Sequence, residues 1–125
     1  MKRLPFLVVV LVTAALLAGL YVGLRSPAAH LEPGPRSYTL AVRGLRVVSG
    51  PTVLAAVQGD PVTIAVTSDR PGMVYVHGYE QMVDVVPEEP ATLSFTARYA
   101  GRYGLHIHAT DNTHTEVAAI EVQPR

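Results

Sequence analysis

Four of the chain's five histidines fall in two short segments. His77 sits in MVYVHGYE (73–80). His106, His108 and His114 sit in GRYGLHIHATDNTH (101–114). Imidazole is the commonest protein ligand for late transition metals, and it suits copper, zinc, iron and nickel. Metal binding is therefore the chemistry these residues could do. Alternation sorts them. If Tyr103, Leu105 and Ile107 face a core, His106 and His108 share the opposite face. His108 closes its strand, and His114 follows six residues on, at the far end of the loop ATDNTH. The expected site lies where the two strand ends meet, with the loop folding back to bring His77, His108 and His114 together as ligands. Tyr79 and Asp111 are expected behind them as hydrogen-bonding partners. His106 is read as structural or exposed. Each histidine also has a plainer reading, as a surface residue or a hydrogen-bonded structural one. Met73 and Met82 flank His77 and read as core fillers before ligands. Tyr75, Tyr79, Tyr99 and Tyr103 read as aromatics of a sheet.

Other chemistries find little support. The chain has no cysteine, so it has no disulfide framework, no thiolate metal site and no cysteine nucleophile. No serine–histidine–acid arrangement, phosphate loop or convincing carboxylate pair is present. A three-histidine site can activate water in principle, but no acid/base partner stands out, and the expectation is that the protein is not an enzyme. Ten basic residues balance ten acidic ones over the whole chain. No basic patch points to nucleic acid.

The elements that must position these histidines begin after a composition break. Residues 4–24, LPFLVVVLVTAALLAGLYVGL, carry no charge and match the ~20 residues needed to span a bilayer. Lys2 and Arg3 precede them, as expected of a cytoplasmic flank. Residues 1–24 therefore read as an uncleaved transmembrane signal anchor, with a cleaved signal peptide as the alternative. Against cleavage, a signal peptide's apolar run is usually only ~7–15 residues, and Ser26-Pro27-Ala28 is a poor cleavage site. Either way the remainder is exported, and the expected location is the cell inner membrane, single-pass, with the domain in the periplasm or outside. Residues 25–36, RSPAAHLEPGPR, read as a proline-rich extended linker, with His30 exposed in it.

Residues 37–125 form the expected domain. Strand-like runs are read at 38–44, 46–50, 62–68, 73–80, 81–87, 91–99, 102–108 and 115–124, and 52–58, apolar on both faces, is read as a strand with a helical turn as the alternative. Val117 and Ala119, with Ile120 and Val122, are expected to face inward in the run 115–124. Turn signals separate the runs every 8–12 residues, the mark of an all-β sandwich or barrel. The fold expected is a Greek-key β-sandwich of seven to nine strands.

On these residues the domain resembles the cupredoxin-like domains of iron-uptake (EfeO-type) periplasmic proteins and of cytochrome oxidase subunit II. The likeness rests on Val74–Tyr79 (VYVHGY), on Val85–Phe95, on Gly101-Arg102-Tyr103 opening the strand toward the metal loop, and on the closing strand Thr115–Val122. It covers about residues 38–124. The resemblance implies His77 and one of His108 or His114 as ligands. It also implies a departure: the thiolate position of the electron carriers is Ile107 here, and no methionine follows in the loop. A blue-copper centre is thereby excluded. The expectation is an exported, membrane-anchored protein binding copper or another divalent metal through histidines for metal handling. The alternative is a metal-free interaction module whose partner is an envelope protein of a membrane complex.

Overall fold

The computed structural model describes residues 4–24 and 30–125. Lys2, Arg3, the start of the linker and the Ser26-Pro27-Ala28 segment lie outside the described residues. The chain divides into two compact units, residues 1–30 and 31–125.

The first unit contains helix α1, Leu4–Leu24. Its Pro5–Leu24 segment has mean hydropathy 2.6 and is long and apolar enough to cross a membrane. At ~1.5 Å rise per residue its 21 residues reach roughly 31 Å, the thickness of a hydrocarbon core. The Thr13 hydroxyl donates to the carbonyl of Val9 (2.9 Å), so this polar group is satisfied inside the helix. The helix is a candidate membrane anchor or signal.

The second unit is a sandwich of nine strands: β1 Arg36–Arg43, β2 Arg46–Ser49, β3 Val53–Val57, β4 Pro61–Ser68, β5 Gly72–Val76, β6 Gln81–Val85, β7 Ala91–Thr96, β8 Gly101–Ala109 and β9 His114–Gln123. One sheet has the order β2-β1-β4-β7, the other β3-β9-β8-β5-β6. Both are mixed: β1 runs parallel to β4, and β3 parallel to β9. The alternation read from sequence is the packing observed. Leu40 and Val42 of β1, and Val62, Ile64 and Val66 of β4, are buried in the core. Opposite them stand Val74 and Val76 of β5 and Leu105 and Ile107 of β8. Burying side chains of this size stabilises by roughly 1.5–3 kcal/mol each, and with no disulfide this packing holds the domain.

Three details depart from the expected pattern. His77 lies just beyond β5, in the turn that leads to β6. The stretch 109–114 is a tight turn rather than a loop: the Ala109 amide donates to the Thr113 carbonyl (2.9 Å), and His114 already belongs to β9. A bulge between β8 and β9 pairs His106 with Glu116 but Leu105 with Ala118. The extra residue, Val117, shifts the phase of β9 by one. Ala118, Ile120 and Val122 therefore share the inner face with Val117. Ala119 pairs with Gly104 instead and stays out of the core cluster, although it is buried.

The end of the linker is fastened to the domain. Asp60, 1% exposed, accepts from the Gly34 amide (2.8 Å), the Val57 amide (2.9 Å) and the Arg36 guanidinium (2.9 Å). His30 is exposed.

Candidate functional site

The site is built on the outer face of β5, β8 and β9. Since Leu105 and Ile107 fill the core, His106 and His108 must point outward. Antiparallel pairing then sets their neighbours. His108 stands opposite Met73 on β5 and opposite His114 on β9. His106 stands opposite Tyr75 and Glu116. Asp84 and Met82 of β6 extend these two rows beyond Met73 and Tyr75.

His108 and His114 are brought together. Their rings are 4.2 Å apart and nearly perpendicular, and the two Nδ1 atoms are 3.1 Å apart. The tight 109–113 turn causes this, because it makes residues 108 and 114 a direct cross-strand pair. Asp111 stabilises the turn by accepting from the Thr113 amide (3.0 Å). Without a metal, the close approach requires one Nδ1 to donate and the other to accept. Burial holds the His108 pKa below its ordinary value, and the charges that His114, His106 and His77 would carry push in the same direction.

His77 is not brought to this pair. It follows Val76, which faces Leu105, whereas His108 faces Met73. Four residues of strand, about 13 Å at ~3.3 Å per residue, separate the two levels. The turn 109–113 lies beside Gly72, at the opposite end of β5, so the strand ends expected to meet do not. His77 is instead anchored by its amide donating to the Gly104 carbonyl (3.1 Å). Its ring lies 4.4 Å from that of His106 and 4.6 Å from that of Tyr75. Tyr75 also meets His108, with centroids 6.1 Å apart. The four histidines thus form a strip along one face, His77–His106 and His108–His114, with Tyr75 between the halves. Among the described residues, no group of three or more histidine, aspartate or glutamate side chains converges as a ready metal cage.

His106, read as structural or exposed, is half-buried with Nε2 3.5 Å from Glu116 Oε2. Glu116 also pairs with Arg102, and the Arg102 guanidinium, chief among several causes, lowers its pKa. Gly104 makes room for this group: a Cβ there would stand 2.6 Å from His106 Nε2 and 2.8 Å from Glu116 Oε2. Tyr79 lies elsewhere. Its hydroxyl donates to the Tyr99 carbonyl (2.9 Å), and its ring packs on Phe95 and Tyr103. Tyr79 and Phe95 border an open groove of about 530 Å³ formed by residues 78–81, 95, 96, 98 and 99, which none of the four histidines lines. The pairing of His106 with His77 had no signal in the sequence, because it depends on which strand lies beside β8.

No family model and no curated protein matches the chain. Solved structures do. A chain of a heme-copper terminal oxidase dimer matches at TM-score 0.58 and 17% identity, over 98% of this chain and 98% of that one. A copper-containing nitrite reductase from Thermus scotoductus SA-01 matches at TM-score 0.57 and 21% identity, over 73% of this chain and 28% of that one. A multicopper oxidase from Pseudomonas Thermotolerans matches at TM-score 0.58 and 18% identity, over 75% of this chain and 31% of that one. The chain thus spans about a third or less of these two enzymes' lengths.

The domain is cupredoxin-like in fold. A type 1 copper centre does not fit it. The chain has no cysteine to supply its thiolate, and Ile107, the position to which the resemblance assigns that ligand, is 1% exposed and packed in the core. The His108–His114 pair passes a different test. Metal–imidazole bonds of ~2.0–2.1 Å to two nitrogens 3.1 Å apart enclose an angle of about 100°, between square-planar and tetrahedral values.

Proposed function

We propose that this protein is held in the cell inner membrane by residues 4–24, exposes its cupredoxin-like domain to the periplasm or outside, and binds copper or another divalent metal there for storage, delivery or tolerance. The observation that carries the reading is the His108–His114 pair, two imidazole nitrogens 3.1 Å apart on an accessible sheet face. His77, with His106, is the outlying pair of donors on the same strip. Neutral imidazoles on an exposed face suit reversible loading, and the missing thiolate removes the electron path of a blue-copper site.

The test is calorimetric titration of the full-length protein, purified in detergent through a histidine-free tag, with Cu(II), Zn(II) and Ni(II). One equivalent of metal should bind at micromolar affinity or tighter. His108→Ala or His114→Ala should abolish binding, and His77→Ala should weaken it less. Metal binding that survives both His108→Ala and His114→Ala would overturn the reading.

A second reading has its own observation. The oxidase chain is matched over 98% of this chain and 98% of its own length, and the second reading takes this chain likewise as a part of a membrane complex, a metal-free module that docks on an envelope protein. Mild solubilisation and native electrophoresis separate the two. A discrete larger complex that persists after metal chelation and in His108→Ala supports the module.

A further inference from the structure

We propose that the divalent ion on His108 and His114 is shared between two copies of this chain, each supplying the same histidine pair to one four-imidazole site. The proposal rests on the metal-handling reading above and adds the partner that completes the site, a second copy.

One chain brings two nitrogens to the ion, whereas a closed site for zinc or copper takes about four donors. The carboxylates around the pair are engaged or out of reach. Asp111 accepts from the Thr113 amide. Glu116 is held by Arg102 and stands beside His106. Asp84 lies on β6, two strands from β8, or about 9.6 Å at ~4.8 Å per strand. His77 and His106 pack on each other, with ring centroids 4.4 Å apart. Within one chain the pair is therefore half a site, left open on the outer face of the sheet. Water can fill the open positions when metal is plentiful. When metal is scarce, a second imidazole pair displaces that water, because nitrogen donors hold these ions more tightly.

Two donors held side by side are what a two-fold axis completes. In such a contact the same patch meets itself, so each pair faces its own copy across the ion. With bonds of ~2.0–2.1 Å and nitrogens 3.1 Å apart, each pair encloses about 100° at the ion. That angle suits the tetrahedral set of zinc and the flatter set of Cu(II). The face can receive a second copy. His114 is exposed, and the turn beside it, Asp111-Asn112-Thr113, carries only short side chains. The chain's formal net charge is zero, and Glu116, the acidic residue nearest the pair on β9, is neutralised by Arg102. On the same face Met82 is 56% exposed, and Met73 and Tyr75 are half-buried. These side chains give a second copy apolar surface to cover beside the ion.

Full-length protein in detergent, purified through a histidine-free tag, would be followed by sedimentation with Zn(II) and by paramagnetic resonance with Cu(II). At half an equivalent of Zn(II) the sedimenting protein mass should double from its metal-free value. Excess Zn(II) should return it to that value, as each chain takes an ion of its own and the titration ends at one equivalent. Cu(II) at half an equivalent should show coupling to four imidazole nitrogens. His77→Ala combined with His106→Ala should keep both signatures, and His108→Ala or His114→Ala should lose both. An unchanged mass at half an equivalent of Zn(II), or coupling of Cu(II) to only two nitrogens, overturns this proposal; if binding is still lost in His108→Ala, the metal-handling reading stands. Undiminished metal binding in both His108→Ala and His114→Ala overturns the two together.

Discussion

Two of the shifted side chains, Asp60 and His108, contribute to how the domain responds to acid. Burial works against the Asp60 carboxylate, but the Val57 and Gly34 amides and the Arg36 guanidinium outweigh it and hold its pKa below the ordinary 3.8. The unfolded chain therefore takes up this proton first. Asp60 contributes its stability above about pH 3.8 and loses it as pH falls further. Asp60→Ala should destabilise the domain by about 3 kcal/mol or more, because it strands buried donors and a charge. Urea denaturation at pH 7 should show the full difference, and the gap from wild type should narrow below about pH 4. His108 acts in a second window. Its pKa is lowered from 6.5 by burial first, so the fold favours the neutral ring. That contribution is complete above about pH 6.5 and declines as the solution is acidified below it. His108→Gln should flatten the wild-type stability decline that begins near pH 6.5.

At the scale of elements, the candidate site depends on how closely β5 approaches β8. Gly72 faces Ala109, and a Cβ at Gly72 would lie 2.3 Å from the His108 carbonyl oxygen. A backbone atom cannot swing aside as a side chain can. Gly72→Ala should force the two strands apart at the level of the histidine pair, costing roughly 1–3 kcal/mol and weakening metal binding with it. Gly34→Ala is the control, because its Cβ meets nothing within 4 Å; thermal melts and titrations should leave it near wild type. A similar constraint operates at the other end of the sandwich. Gly78 has φ +82°, and a Cβ there would lie 2.5 Å from Tyr103. Tyr103 in turn donates to the Ala100 carbonyl (3.0 Å), which holds its ring near the start of β8, where Gly78 leaves it room.

For the molecule as a whole, the helix is a candidate membrane anchor or signal, and fractionation tells the two apart. Residues Leu4–Leu24 carry no charged side chain, and Arg at the centre of a spanning helix costs roughly 2.5–3.5 kcal/mol. In fractionated cells, the full-length chain should stay in the membrane pellet through alkaline carbonate washing. Leu11→Arg combined with Leu16→Arg should keep it out of that pellet. A wild-type product that is soluble and shortened by the mass of the helix would identify the segment as a cleaved signal.

The apolar run, the β-strands and the core were legible from composition and period, because both are local properties of the chain. Two-residue alternation placed Leu105 and Ile107 inward, and therefore His106 and His108 outward, and the missing cysteine ruled out a thiolate site. The turn 109–113 was legible as a break but not in its tightness, and that tightness makes His108 and His114 partners. Strand order and register are long-range. Nothing local to VYVHGY reveals that β5 runs antiparallel to β8 with Val76 against Leu105, so the expectation that His77 would join the other two could not be tested along the chain. Tertiary pairing separated His77 from them, set it against His106, and put Met73 beside His108. A register is chosen by the burial of whole strand faces at once, and a single residue's neighbours across a sheet follow from that collective choice.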